Sequence, residues 1–462
     1  MKQTTIKATT TLNGVGLHTG KMVTMTFVPA PANHGYKFKR VDLDEQPILN
    51  ADCDLVVSTN HGTTIRSNGA QISTIEHALS ALCGLEIDNV LIEIDGPEVP
   101  ILDGSALLFV NALKSVGIET LDADREYLEI LEPIAFRDEV TGAELMALPY
   151  DGFQVTSMID FKSQVLGQQY AAMHHIDEYV TEIAPCRTFV FVHEVEQLLA
   201  QNLIKGGDLD NAIVILDRTL LPEELSSLAA RLGRPDIKME KEGILNTTPL
   251  RFGNEPARHK LLDIIGDLSL CGKPIKGKIV ASKPGHTANV QFAKLLKEAY
   301  KKQRKLRGVP KIDLFAEPLY DTQRIQNTLP HRYPFLFVDK IMEMSATHII
   351  GIKNLTMNEA FFQGHFPNNP VFPGVLQIEA MAQTGGILAL STVEDPENWD
   401  TYFLKIDQVK FKHKVVPGDV LVMKLELLAP IRRGIVYMQA TAYVGNKIVS
   451  EGELTAQISR RK

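Results

Sequence analysis

Two sets of reactive side chains lie in this chain, one on each side of a short basic stretch. The first is spread over residues 76–286: the adjacent pair Glu76 and His77, then His259, Asp263 and Asp267 at intervals of four, then His286. Side chains four apart on a helix point the same way, so His259 and Asp263 can grip one ion while Asp267 lies one turn beyond. An imidazole with a carboxylate suits zinc; a third protein ligand with an open fourth position would make such a site catalytic, and His77 is the candidate. The second set is compact: Gly364-His365-Phe366-Pro367, then Pro373-Gly374, then Glu379 within the apolar run Val375–Leu390. A histidine, a carboxylic acid in an apolar helix and a helix N-terminus suffice to abstract a proton beside a thioester carbonyl and expel a β-hydroxyl. The free N–H groups at that N-terminus favour negative charge developing on a nearby oxygen.

The elements that must position these groups also offer ordinary explanations for them. A helix starting near Ser73 and closed by Gly84 carries Ile75, Ala78, Leu79 and Leu82 on one face, with Glu76 and His77 off that stripe. Ser73 and Glu76 have capping-box spacing, which would give the carboxylate a purely structural job. A second helix has Pro256 in its first turn and buries Leu261, Ile264, Ile265 and Leu268, so its His259–Asp263–Asp267 side can equally be a solvated face. The Val375–Leu390 helix is apolar almost all round and should be buried on every side. An ionised Glu379 there costs several kcal/mol unless compensated, and Gln383 is the helical neighbour able to satisfy it. Val23–Val28 and Asn89–Ile94 alternate as half-buried strands do. Strand patterns also mark Phe335–Ile341, Lys405–Val416, Val420–Leu428, Gly434–Val444 and Ile448–Ile458. One buried helix among several long antiparallel strands is an α+β signature.

At 462 residues the chain calls for two to four domains. A hydrophobic content of 44% with 23% charged residues marks a globular protein rather than a disordered one. The net charge of −8 argues against a general nucleic-acid binder, and it is uneven: −10 over residues 1–304 and +2 over 305–462. An acidic partner is therefore expected for the second half only. Residues 297–311 hold seven Lys or Arg against one Glu and run into Gly308-Val309-Pro310, which reads as a basic helix end entering a linker. That stretch is either a solvated face or a contact for anionic lipid. The start, Met1-Lys2-Gln3-Thr4-Thr5, lacks the apolar core a secretory signal needs, and no run approaches a membrane span. Cys53, Cys83, Cys186 and Cys271 are far apart, so disulfides and thiolate zinc sites are not expected and a reducing cytoplasm is.

Several segments of the first half resemble the UDP-3-O-acyl-N-acetylglucosamine deacetylases, the zinc amidases of lipid A synthesis. They are Gly14-Val15-Gly16-Leu17-His18-Thr19-Gly20, Ser73-Thr74-Ile75-Glu76-His77, the run from Asp95 to Ser105, Ala184-Pro185-Cys186-Arg187-Thr188-Phe189, His259-Lys260 with Asp263 and Gly266-Asp267, and Gly285-His286. The resemblance covers about 300 residues in order. It implies one Zn2+ held by His77, His259 and Asp263, with Glu76 the base for the attacking water and His286 the acid or electrostatic partner at the leaving amine. It also implies that Thr188 bonds the tetrahedral oxyanion and that Asp267 orients His286. Lys260 and Phe189 are implied as substrate contacts, and Phe161 as a platform for uracil. Residues 190–214, with Phe191, Val192, Leu198, Leu199, Leu203 and Ile204, would form the acyl-chain passage, although an ordinary core would use the same residues.

In the second half, Leu329-Pro330-His331-Arg332-Tyr333-Pro334-Phe335, Asn358-Glu359 with Phe361 to Pro367, and Phe372 to Gln383 resemble the β-hydroxyacyl-(acyl carrier protein) dehydratases of hot-dog fold. The resemblance implies His365 as base at Cα, Glu379 as acid at the leaving hydroxyl, and the Gly374 N–H as the group polarising the thioester. Glu at 379 rather than Asp points to the plain dehydratase, and Asn368-Asn369 stand where that family often has a glycine. Histidine and glutamate come from opposite subunits in this fold, which implies an obligatory dimer and a trimer of dimers. Lys405, Lys410, Lys412, Lys414, Arg432 and Arg433 would offer acyl carrier protein a landing area.

The expected architecture is α+β throughout. Residues 1–125 and 126–304 are two α/β sandwich subdomains, the second carrying the acyl-chain insert; 305–317 are a basic linker and 318–462 the hot-dog domain. The expected protein is a bifunctional cytoplasmic enzyme acting on a UDP-sugar lipid and on acyl carrier protein. The dehydratase needs no cofactor, and neither nucleic acid nor a transmembrane span is involved. Two rivals stand beside this: a hot-dog thioesterase in the second half, and a non-enzymatic protein with a structural metal.

Overall fold

The structure, a computed structural model, describes residues 1–200, 203–217, 223, 243–245, 249–306 and 308–461. The chain divides into two compact units, Met1–Lys302 and Gln303–Lys462.

In the first unit the alternating segments Met22–Pro29 and Val90–Ile94 pair antiparallel, with Met25 opposite Ile94. They are inner strands of a five-stranded sheet ordered Thr10–Val15, Met22–Pro29, Val90–Ile94, Tyr36–Arg40, Ile48–Asn50. A second sheet runs Ile134–Arg137, Glu144–Leu148, Ile275–Ser282, Phe153–Asp160, Gln168–Met173. Helix Glu255–Ser269 packs on the last two of these strands and on helix Glu76–Gly84. The two helices approach closely: a Cβ at Gly266 would stand 2.1 Å from the Glu76 carbonyl oxygen. A small sheet of Phe189–Phe191, Ile213–Ile215 and Ile244–Leu245 has its own core, which includes Val192, Val195, Leu209 and Val214.

Two sequence readings of the helices change here. The first begins at Glu76, because Thr74 sits at φ 55°, in the left-handed region, and cannot continue a helix. Ser73 gives its hydroxyl to the Pro97 carbonyl at 3.2 Å, so no capping box forms. The polar faces are not solvated either. Glu76, His77, His259, Asp263 and Asp267 are all at most 4% exposed, because the helices turn those faces toward each other.

In the second unit six antiparallel strands run Lys340–Met344, His348–Asn354, Val420–Leu427, Ile435–Val444, Lys447–Arg460, Trp399–Phe411. Helix Gly374–Leu390 packs on this sheet through a single apolar core. It is not buried on every side: Val375 is 74% exposed and the Glu379 side chain 19%. The apolar segment Phe335–Asp339 lies outside the sheet. Gln383 receives the Phe337 N–H at 2.8 Å and donates to the Phe335 carbonyl at 2.8 Å, so one side chain replaces ladder bonds. Trp399–Phe411 starts earlier and ends sooner than its pattern predicts, since register shifts at Phe403/Lys405 and Asp407/Lys410 break the alternation. All four cysteines are free. Among the described residues no helix is long and apolar enough to cross a membrane.

Candidate functional sites

Facing helices gather the first set. Helix Glu76–Gly84 supplies His77 and helix Glu255–Ser269 supplies His259 and Asp263; their donor atoms all lie within 4.8 Å of one another. His259 Nε2 is 3.4 Å and His77 Nε2 3.8 Å from Asp263 Oδ1, and the two rings meet edge to face at 5.0 Å. His259 Nδ1–H donates to the Cys186 carbonyl at 3.0 Å, which fixes the tautomer and leaves Nε2 with its lone pair toward the cluster. Burial, then His259, pushes His77 down to about 3, and burial lowers His259 too, so both imidazoles are neutral as ligands must be. Asp263 Oδ1 is buried with no hydrogen-bond partner, while Oδ2 accepts from Lys260 at 2.8 Å. Burial would raise that carboxyl, but the Lys260 ammonium holds it well below the usual range. A buried anionic oxygen lacking a donor, beside two neutral imidazole nitrogens, fits a divalent cation.

A second network adjoins it. Asp267 accepts from His286 Nδ1 and from Asn289 at 2.9 Å each, and from the Thr63 hydroxyl at 2.6 Å. Burial alone would lower His286, but Asp267 and then Asp263 lift it to about 9, leaving a protonated acid. Its Nε2 is 3.9 Å from Asp263 Oδ2. Glu76 accepts the Thr63 N–H at 3.0 Å, and burial pushes its carboxyl up to about 7.

A cavity of about 270 Å³ opens beside these groups, lined by Thr188, Lys260, His286 and Phe161 together with Phe189, Val190, Phe191, Val195, Leu198 and Ile204. Phe161 is 42% exposed, and its ring lies 5.4 Å from those of both Phe189 and Phe191. Lys260 Nζ stands 5.5 Å over the Phe189 ring. Arg187, 1% exposed and bonded to buried Glu255 at 3.0 Å, anchors the chain just before Thr188. Of the expected passage residues, Val192 belongs to the small core behind the cavity and Leu203 is not in its lining. The Leu199 side chain lies outside the described residues. Leu17, His18 and His61 also line the cavity, and the sequence reading gave none of them a role.

In the second set, no hydrogen bond or ion pair joins His365 to Glu379 among the described residues. His365 donates its N–H to the Phe361 carbonyl, bonds the Val371 carbonyl through Nδ1 at 2.7 Å and stacks on Phe366 at 4.0 Å. Glu379 instead meets Gln383 at 2.9 Å and His331 Nε2 at 3.5 Å. A cavity of about 60 Å³ runs from His331 and Glu379 under the helix to Met438, Leu454 and Ile458. Gly374 begins the helix pressed to Phe411, whose ring a Cβ would meet at 2.8 Å. His331 was part of a recognised motif, yet nothing in its spacing placed it on Glu379.

Residues 3–229 and 234–298 match the family model described as UDP-3-O-acyl N-acetylglycosamine deacetylase, and residues 329–453 match a FabA-like domain. The chain is 51% identical over 464 aligned residues to the bifunctional enzyme LpxC/FabZ of Bacteroides thetaiotaomicron, covering all of both. It is 46% identical over 464 residues to the bifunctional enzyme LpxC/FabZ of Chlorobaculum tepidum, covering all of this chain and 99% of that one. A UDP-3-O-acyl-N-acetylglucosamine deacetylase of an Anaeromyxobacter species is 42% identical over 290 residues, which span 62% of this chain and 86% of that protein. The chain belongs to the family of bifunctional LpxC/FabZ enzymes, in which a deacetylase and a dehydratase share one polypeptide.

Proposed function

We propose that residues 1–125 and 126–304 form the halves of a deacetylase that hydrolyses the acetamide of UDP-3-O-[(3R)-hydroxyacyl]-N-acetylglucosamine. His77, His259 and Asp263 would hold one zinc ion. When bound, that ion polarises the amide carbonyl and acidifies the attacking water. Glu76, next to a proposed ligand and accepting the Thr63 N–H, takes the proton as the water adds to the carbonyl carbon. The Thr188 hydroxyl donates to the oxygen that becomes anionic. His286, held at Nδ1 by Asp267, gives its Nε2 proton to nitrogen as the C–N bond breaks, releasing acetate and the free amine. Of the two protons left, on Glu76 and on the acetic acid, one returns to His286 and the other passes to solvent as acetate leaves. Lys260 contacts the sugar or phosphate, Phe161 and Phe189 flank the substrate, and the apolar lining from Val190 to Val214 receives the acyl chain.

Residues 318–462, joined through the basic linker 305–317, form the hot-dog domain that converts (3R)-hydroxyacyl-acyl carrier protein to the trans-2-enoyl product. His365 takes the Cα proton, the Gly374 N–H steadies charge on the thioester oxygen, and Glu379 protonates the β-hydroxyl, which leaves as water. His365 and Glu379 keep separate neighbours in one chain, so the site is completed by a second copy in a dimer, with a trimer of dimers as the assembly. No cofactor enters this step. Lys405 is paired with Asp407, and Lys410 and Lys412 with Glu451, which makes Lys414, Arg432 and Arg433 the main landing charges for the carrier protein. We place the enzyme in the cytoplasm, a reducing compartment that suits four free cysteines.

The observation carrying the first activity is the buried His77–His259–Asp263 cluster with its donorless carboxylate oxygen. Mass spectrometry of each substrate after incubation, with zinc analysis of wild type and Glu76→Gln, tests it. Loss of about 10²-fold or more in deacetylation with zinc retained is expected. A wild-type chain that releases no acetate would overturn the reading, and free acid without enoyl product would make the second half a thioesterase.

A further inference from the structure

Thr63 is fully buried and outside every motif that carries the resemblance. Its backbone turns sharply just beforehand: His61 lies at φ 56° and Gly62 at φ 143°, both in the left-handed region. Gly62 is also needed for space, since a Cβ there would stand 3.1 Å from Glu76 Oε1. After this turn Thr63 reaches two carboxylates at once. Its N–H donates to Glu76 Oε2 at 3.0 Å, and its hydroxyl donates to Asp267 Oδ1 at 2.6 Å. The other Asp267 oxygen is filled by His286 and Asn289, so the Thr63 hydroxyl is the donor on Oδ1 that stops the carboxylate rotating away from the imidazole. The Thr63 carbonyl accepts the Ile75 N–H at 3.4 Å, tying the same residue to the start of the Glu76 helix.

We propose that Thr63 is a positioning residue that locks the base Glu76 and the Asp267–His286 acid into one mutual geometry. This rests on the deacetylase reading above. The backbone N–H serves Glu76 whatever the side chain is, so substitution at 63 removes only the hydroxyl arm on Asp267. Hydrogen-bond partners of metal-ligating side chains are typically worth roughly 10–100-fold in affinity or activity, and the lower end of that range is taken for Thr63, which acts on His286 through Asp267. Thr63 does not line the substrate cavity, so its loss belongs in kcat and not in KM.

The experiment compares Thr63→Val, which keeps the shape and removes the hydroxyl, with Thr63→Ser, which keeps the hydroxyl and removes a methyl group. Deacetylation kinetics, zinc content and thermal unfolding of the full chain are the readouts. Thr63→Val is expected to turn over at least about tenfold more slowly than Thr63→Ser, with KM within about twofold of wild type and zinc retained. A residue kept only for packing gives the reverse order, because the serine is the variant that leaves a gap. Any smaller separation between the two, or a loss carried by KM, overturns the proposal. Should the valine variant not fold, Thr63→Ala takes its place against the same threshold. A wild-type chain without deacetylase activity would remove the deacetylase reading and this proposal together, whereas an active wild type with equal variants removes the proposal alone.

Discussion

Asp263 turns Oδ1 toward His259, 3.4 Å from Nε2, and leaves that buried oxygen without a hydrogen-bond donor. Its other oxygen is occupied by Lys260. The first prediction follows from that asymmetry. Replacing Asp263 with Ala removes the anionic ligand from a site that otherwise offers two neutral imidazoles, and bound zinc should fall to background by elemental analysis. Deacetylation should drop by at least about 10²-fold. The dehydratase rate of the same preparation should stay within about twofold, since the proposed dehydration is assigned to His365 and Glu379 alone. A chelator applied to the wild type should reproduce the split, and loss of both activities together would contradict it.

The helix contact behind this site makes a second prediction. A Cβ on Gly266 would collide with the Glu76 carbonyl at 2.1 Å, and backbone on a packed helix cannot swing aside as a long side chain can. Gly266→Ala must therefore push the two ligand-bearing helices apart. Overpacking of this kind costs about 1–3 kcal/mol, offset by only about 1 kcal/mol of helix propensity. The deacetylase unit should melt several degrees lower, and its zinc affinity should fall although no ligand is touched. Unchanged affinity would mean that the helix spacing does not set the ligand geometry.

How much of this was legible in the sequence depended on range. The interval of four between His259, Asp263 and Asp267 is local geometry, and it placed two of the proposed ligands and the partner of His286 on one helix face. Burial of that face was not legible, because it depends on a second helix, nearly two hundred residues away in sequence, turning its own polar side inward. Thr63 was invisible for the same reason. Its partners lie 13 and 204 positions off, and a threonine between a glycine and a strand has many possible uses. In the second unit the helix bearing Glu379 and three of its four later strands followed the hydrophobic pattern closely. The segment at Phe335 was misread because apolar alternation reports burial, not the identity of the hydrogen-bond partner, and Gln383 supplied that partner.

Arg187 and Glu255 provide a third prediction. Both are essentially buried, and the carboxylate accepts from the Arg187 backbone and guanidinium and from the Arg251 N–H. Glu255→Ala would take the carboxylate away from a buried guanidinium, a change that costs about 3–5 kcal/mol in comparable cases. Denaturation of the first unit should show that loss. The Glu255→Ala, Arg187→Met double variant should recover part of it, because the stranded charge is gone. The segment from Arg187 runs directly into Thr188, so kcat for deacetylation should fall in the single variant as well. Full additivity of the two substitutions would show that the residues do not act as a pair.

The separation of His365 from Glu379 within one chain supplies the last prediction. His365 is bonded to Phe361 and Val371, and Glu379 to Gln383, with no contact recorded between them among the described residues. If each dehydratase site takes its base from one copy and its acid from another, His365→Ala and Glu379→Ala chains are each inactive alone but complementary when mixed. Random pairing makes half of all dimers mixed, and each mixed dimer contains one intact site and one doubly damaged site. Co-refolded at equal amounts, the two variants should therefore regain about a quarter of wild-type dehydration under twofold symmetry. Deacetylation serves as the internal control, since neither substitution touches that module and its rate should track total protein. A site assembled within a single chain would give no recovery at any mixing ratio, because each chain would still lack one of its two groups.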